Sequence, residues 1–461
     1  MTTPNRSASG VIRAVVTLSA GTFVVQALSA VAQMLLAIWL SPSEFGYWAA
    51  ATSILAVLTG LVNLGEVNGY LSTPSASYRR ASRSSFMVNM SLLGSGALVG
   101  VAYLVYDNYV LAVLLILCAI NLPLLGEANL LYAYCVKYNQ RGRLIRAQVI
   151  SAIARLCVGV LVAWLTGSAL AFAISTLAYS AILILALRPK LAPDPAGSVA
   201  VRVPRSRRFA WASLSVAQML TRQIDYLVVW IVSTPTLLGT YFFSYQVSIG
   251  LSAVVSGPLS KSALNELARE APARRRRLAN ELIAYVTGGV GIACAAAALV
   301  VLAFGNLLPE QWRGAAPVII VLLGSLPARF VTPITDAVQM ADGRWWRSTA
   351  LSGLDSLGTA LAALVALTGR ELWLAAAIVA WKVLFALVRY FVALPGASLL
   401  ARGAIVAYVL TFSSCLVLAG LASDRSGLGF AGAIMALAVG GVALLGSAAI
   451  RRRRTVKGQR Q

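Results

Sequence analysis

Among the charged residues of this 461-residue chain that lie inside long apolar stretches are the cations Arg155, Arg222, Arg329 and Lys382, and the acids Glu66, Asp225 and Asp336. A charge at the centre of a bilayer costs roughly 2.5–3.5 kcal/mol on insertion scales, so it persists only beside a partner or water. Arg222 and Asp225 are three residues apart and can pair along one helix face; Arg329 and Asp336 share a face through Thr332. Each pair is either an internal salt bridge that fixes helix packing or part of a wet cavity. Glu127 and Asp355 are two further acids within apolar spans, whereas Arg13 and Arg389 stand near span ends, where a long side chain can snorkel to the interface. Polar residues recur at helical spacing in four segments: Thr22, Gln26, Ser29 and Gln33; Thr52, Thr59, Asn63, Glu66 and Tyr70; Ser215, Gln218, Arg222 and Asp225; and Ser244, Ser248, Ser252 and Ser256. Such stripes mark the faces turned away from lipid, lining either a cavity or a hydrogen-bonded dry bundle.

Several chemistries are excluded. The chain has no histidine, which removes imidazole metal ligands and His-based acid–base catalysis. Its five cysteines are scattered through apolar segments without CxxC spacing and read as free buried thiols. No metal or organic cofactor is implied.

The elements that hold these residues follow from composition. Apolar residues make up 59% of the chain and charged ones only 11%, a surface that water could not solvate. At about 20 residues per span, the chain is an all-α polytopic membrane protein of about fourteen transmembrane helices. Their approximate limits are 11–39, 45–71, 85–106, 109–136, 147–166, 169–187, 209–232, 237–258, 280–305, 315–340, 348–368, 372–394, 403–422 and 427–450. The first span is too long for a signal-peptide core and reads as retained. The net charge of +23 sorts into alternate loops. Arg79, Arg80 and Arg83, then Lys137 to Arg146, Arg188 to Arg208, Lys261 to Arg277, Arg344 and Arg347, Arg402 and the tail from Arg451 fall on one side; the opposite loops hold Arg313, Arg370 and Arg425. This positive-inside asymmetry places both termini in the cytoplasm. The basic loops flank spans and carry no nucleic-acid motif, so their partners are membrane lipids.

The proline-rich linker 188–208 divides the chain into an N-terminal lobe of six spans (1–187) and a C-terminal lobe of six (209–394); residues 395–461 add two spans and a basic tail. The halves begin alike. Ser41-Pro42-Ser43-Glu44-Phe45-Gly46-Tyr47 follows the first span, and Ser233-Thr234-Pro235-Thr236-Leu237-Leu238-Gly239-Thr240-Tyr241 follows the seventh. Two even-numbered halves with the same turn indicate a parallel pseudo-repeat.

Three segments carry a family resemblance: Leu40 to Gly46; Arg222-Gln223-Ile224-Asp225-Tyr226 with Leu238-Gly239-Thr240-Tyr241; and Leu308-Pro309-Glu310-Gln311-Trp312-Arg313-Gly314-Ala315-Ala316. The chain resembles the polysaccharide-exporter branch of the multidrug/oligosaccharidyl-lipid/polysaccharide (MOP) superfamily. The resemblance implies a MATE-like fold with two lobes around a cationic cavity. It also implies a flippase that moves undecaprenyl-pyrophosphate-linked oligosaccharide from the cytoplasmic to the outer leaflet of the bacterial inner membrane by alternating access, for cell-surface polysaccharide synthesis, alongside other polysaccharide assembly proteins. The resemblance places Arg222 in the family's motif; Arg155, Arg329 and Lys382 match no motif, and their place beside it in attracting the diphosphate follows from their positions inside spans, with Gln26, Gln33, Asn63 and Gln218 bonding sugar hydroxyls and Asp225, Glu66 and Asp336 holding arginines or carrying a coupling H⁺ or Na⁺. The drug antiporters of the superfamily usually have twelve spans and its lipid II flippases fourteen; both remain open as alternatives. A membrane-embedded polymerase or glycosyltransferase fits less well, because the outer loops are a few residues long and hold no paired carboxylates. The expected protein is not an enzyme.

Overall fold

The computed structural model describes residues 8–62, 66–72, 76–105, 108–138, 140–188, 205–248, 271–305 and 308–394; within these, side chains are described from residue 24 onward, except at 68, 72, 141, 205–208, 210, 211, 285 and 345. Among the described residues the fold is all helical. In chain order come α1 (Ala8–Trp39), α2 (Pro42–Ile54), α3 (Ala56–Leu61), α4 (Glu66–Ser72), α5 (Tyr78–Val105), α6 (Tyr109–Lys137), α7 (Arg141–Thr166), α8 (Leu170–Leu187) and α9 (Arg205–Val232). They are followed by α10 (235–248), then α11 (Pro272–Phe304), α12 (Ala315–Leu323), α13 (Leu326–Ala341), α14 (Trp345–Ala363) and α15 (Glu371–Ala393). Eight helical segments among the described residues are long and apolar enough to cross a membrane. The chain is therefore a multi-pass membrane protein. Spans thirteen and fourteen, the end of span eight and the linker lie outside the described residues.

Two expected spans are broken, and local chemistry accounts for each break. The second divides into α2, α3 and α4. Thr52 Oγ1 reaches the carbonyls of Trp48 (3.1 Å) and Ala49 (3.0 Å), and Ser53 Oγ reaches that of Ala50 (2.9 Å), just before the helix stops at Leu55. Hydroxyls that bond back to their own helix compete with its amide ladder and bend it. The tenth divides into α12 and α13 at Gly324 and Ser325, where Pro327 lacks the amide hydrogen a continuous helix needs and sits in the first turn of α13. Pro123, by contrast, lies inside an unbroken α6. The reverse turn after α7 uses Gly167 in the left-handed region (φ 56°).

The chain forms two compact units. The first comprises Met1–Phe242 with Ser352–Ala360, and the second Phe243–Leu351 with Leu361–Gln461. In the first unit α5 packs along α6 and α7 along α8; α6 lies on α8 and α2, and α9 lies on α2 and α3. In the second, α13 packs on α11 and α15, and α12 also contacts both. The Pro309-Glu310-Gln311-Trp312 segment forms a single 3₁₀ turn that buries Trp312 completely, its ring centroid 4.4 Å from that of Phe243.

Candidate functional site

In the first unit the two repeated turns meet. Gly46 and Gly239 each stand four residues after a proline, and each glycine backbone lies on the carbonyl of the other's proline. A Cβ at Gly46 would run into the Pro235 carbonyl, and one at Gly239 into the Pro42 carbonyl and, at 2.9 Å, the Gly46 nitrogen. Only glycine permits this approach. Aromatic rings fill the space next to it. Phe45 meets Phe172 edge-on (centroids 4.8 Å) and tilts against Phe242 (6.5 Å), Trp48 stacks on Phe172 (5.5 Å), and Tyr226 contacts both Tyr241 (5.8 Å) and Phe242 (5.3 Å). Glu44, two residues before Gly46, accepts from the Ala169 amide at the start of α8 (2.6 Å).

The expected Arg222–Asp225 pair is not formed. Asp225 is buried and accepts from the Tyr241 hydroxyl (2.8 Å) and the Tyr226 amide (3.0 Å). Arg222 is exposed and makes no hydrogen bond or ion pair with any described residue. Three residues leave two side chains about 60° apart around a helix, so the short carboxylate follows α10 while the longer guanidinium turns away. Arg155 is half-buried on α7, within electrostatic reach of Tyr179 on α8, and also has no hydrogen bond or ion pair among the described residues.

The acids of this unit are held by hydroxyls. Glu66 accepts from Ser84 (3.0 Å). Glu127, left without a role by sequence reasoning, takes 2.7 Å hydrogen bonds from Tyr78 and Ser82, one turn apart on α5. Of the expected sugar-binding amides, Gln26 and Gln218 are half-buried. Gln33 Oε1 is buried without a partner, and Asn63 lies outside the described residues.

In the second unit Arg329 and Asp336 each have partners beyond α13. Arg329 donates to the Tyr245 hydroxyl (2.8 Å), with its guanidinium 4.6 Å above that ring, and to Ser325 (3.3 Å). Asp336 accepts from Arg389 of α15 (2.7 Å) and Ser348 of α14 (2.7 Å). Arg389 was expected to snorkel; it is 1% exposed, because its helix face is turned to α13 and it donates to the Asp336 carboxylate there. The described half of the span-eight serine stripe packs against α12. Ser244 and Ser248 donate to the Ala315 and Ile319 carbonyls of α12 (3.3 and 3.2 Å), while Ser252 and Ser256 lie outside the described residues. Lys382 is half-buried on α15. Of the cysteines, Cys135 and Cys294 are buried and Cys118 partly so, but Cys157 is exposed.

No group of three or more His, Cys, Asp or Glu suited to a metal occurs among the described residues. What the arrangement offers among the described residues is Arg222 on α9 and Arg155 on α7, neither of which makes a hydrogen bond or ion pair with another described residue. A family model described as polysaccharide biosynthesis protein matches residues 35–317. The chain belongs to that family. Two solved structures share its fold. A lipid II flippase, MurJ, in an inward closed conformation aligns over 95% of this chain and 100% of its own at 11% identity, with a TM-score of 0.69. An outward-facing multidrug resistance MATE family transporter of the MOP superfamily aligns over 87% of this chain and 100% of its own at 15% identity, with a TM-score of 0.53. No match was found among curated protein sequences. The all-helical fold is the one these two solved structures have, and the expected MATE-like architecture is the one observed.

Proposed function

We propose that this protein carries a polyprenyl-pyrophosphate-linked oligosaccharide from the cytoplasmic to the outer leaflet of the bacterial inner membrane, for cell-surface polysaccharide synthesis. The observation that supports it is Arg222. Ten residues separate it from the end of α9, about 15 Å along the helix axis, or half the thickness of a bilayer core of about 30 Å. An exposed guanidinium with no carboxylate partner among the described residues needs an anion or water at that depth, and a diphosphate supplies oxygens in the geometry a guanidinium fork prefers. Arg155 is a second cation of the same kind. Arg329 and Lys382 belong to the same cationic set in the second unit, and Gln26, Gln33, Asn63 and Gln218 bond sugar hydroxyls. The polyprenyl tail stays in lipid while the head group crosses.

The six-span halves 1–187 and 209–394, joined by 188–208 and followed by 395–461, rock against one another in this reading, with both termini cytoplasmic. An inside-negative potential favours outward movement of an anionic head by about 2.3 kcal/mol per charge per 100 mV; Asp225 or Glu66 adds H⁺ or Na⁺ coupling. The protein is a carrier rather than an enzyme, and enzymes that make and polymerise the glycan act before and after it.

The test is head-group translocation in proteoliposomes containing a polyprenyl-pyrophosphate glycan. Arg222→Ala abolishes or severely slows it, and Arg222→Lys retains part. Undiminished flipping by the Arg222→Ala protein would sink the cationic-cavity role.

A further inference from the structure

The contact between the repeated turns has the features of a gate. Within the first unit it lies at the end where loops lack arginine: the α1–α2, α5–α6, α7–α8 and α9–α10 connections carry no Arg or Lys. At the opposite end stand Arg79, Arg80 and Arg83 at the start of α5, Arg143 and Arg146 on α7, Arg188 after α8, and Arg207 and Arg208 on α9. By the positive-inside rule the glycine contact faces outward. It is reciprocal: the same positions of each repeat, proline and glycine four apart, touch each other's backbone. The aromatic cluster of Phe45, Trp48, Phe172, Tyr226, Tyr241 and Phe242 adjoins it on both repeats, and Asp225, one turn from Arg222, is tied to that cluster through Tyr241.

We infer that Gly46 and Gly239 are positioning residues of the transport cycle: their backbone contact is the outer gate, closed while the glycines rest on Pro42 and Pro235 and open when the turns part. Nothing in the contact is charged or long enough to follow a separating partner. Glycine Cα–H groups against carbonyl oxygens add only weak attraction. A contact of this kind is short-ranged and cheap to break, and it closes to one distance only. A side chain at either glycine meets backbone, which cannot rotate aside, so an added methyl group acts as a wedge. The gate assignment rests on the transporter reading; the geometry of the contact does not.

The experiment reads shape and transport separately. Spin labels at Tyr109, where α6 begins, and Ile231, near the end of α9, are both exposed and both at the arginine-poor end. In nanodiscs, Gly46→Ala and Gly239→Ala each shift the label-to-label distance distribution to longer values than in the unsubstituted protein. An unchanged distribution in both folded variants overturns the gate. A second arm leaves both glycines intact. Cysteines at Ser43 and Thr236, each one residue past the proline of its turn, are joined by a short reducible cross-linker in a background without the native cysteines. Translocation stops when the cross-link forms and returns on reduction. Continued head-group delivery by the cross-linked protein refutes the gate even where the alanine variants fail to fold. A protein whose distances respond as stated but which moves no lipid-linked glycan keeps the gate and loses the proposed substrate.

Discussion

Removing the Asp336 carboxylate should be among the most damaging single changes in the second unit. Arg389 is 1% exposed and Asp336 6% exposed, and their 2.7 Å bond joins α15 to α13, with Ser348 of α14 adding a second donor to the same oxygen. Breaking a buried ion pair by deleting one partner costs about 3–5 kcal/mol, because the other charge is left in a medium that cannot solvate it. The Ser348 hydroxyl loses its acceptor as well, adding up to about 1–3 kcal/mol if it finds no other. Asp336→Ala should therefore lose at least about 3 kcal/mol. Arg389→Met should lose a similar amount, since it removes the guanidinium from which the buried carboxylate accepts. The double variant Asp336→Ala/Arg389→Met removes both charges and keeps most of the Arg389 stem volume against Phe385, so it should recover at least about 2 kcal/mol relative to the sum of the singles. The assay is reversible unfolding in mixed micelles of graded denaturing detergent, followed by tryptophan fluorescence. Single variants that each cost under about 1 kcal/mol and add without coupling would refute the reasoning, because water or a third group would then already be neutralising the pair.

Three further outcomes follow from hydrogen bonds and close contacts. Tyr241→Phe removes the hydroxyl that Asp225 accepts from and should cost about 1–3 kcal/mol by the same assay; a cost indistinguishable from zero means the carboxylate is satisfied elsewhere. Tyr78→Phe should destabilise the first unit by a similar amount, and Glu127→Gln, which still offers one acceptor, by less than Glu127→Ala; equal losses for the two Glu127 variants would contradict the hydroxyl pair. Gly60→Ala places a methyl 2.9 Å from the Val216 Cα where α3 packs on α9, at an overpacking cost of about 1–3 kcal/mol. Val216→Ala should not rescue it, since the nearest atom is backbone, and rescue would show that the clash is with the side chain.

The first level of this fold is legible in the residues. Apolar run length and loop charge place the membrane helices, and the Pro-x-x-x-Gly spacing at Pro42 and Pro235 marks equivalent turns that the structure then brings into contact. Glu66 and Asp225 are acids in spans, and both are buried. Partner choice was not legible. Helical spacing says which residues share a face, but not which neighbour that face meets: Arg329 and Asp336 share a helix, yet one turns to Tyr245 and the other to Arg389, 53 residues further along the chain. For the same reason Arg389, near a span end, reads as a snorkelling side chain until α13 is packed against it. The divided spans were legible only in part. Pro327 signals the second break, whereas the first depends on Thr52 and Ser53 bonding back to the helix, which many membrane helices tolerate without stopping. Sequence position also could not separate the packing serines Ser244 and Ser248 from cavity-lining ones, because both uses need the same residue type at the same spacing.

Glu44 joins two helices that are not neighbours in sequence. It lies in the first turn of α2, and its carboxylate accepts the Ala169 amide at the start of α8, a helix whose own residues supply no side-chain cap. One negative charge thus answers the positive ends of two helices. Mechanically it works as a linkage rod: a displacement of Gly46 reaches α8 through two residues of chain and one hydrogen bond, without passing through the hydrophobic interior. The arm it drives is the α7–α8 hairpin, which bears Arg155.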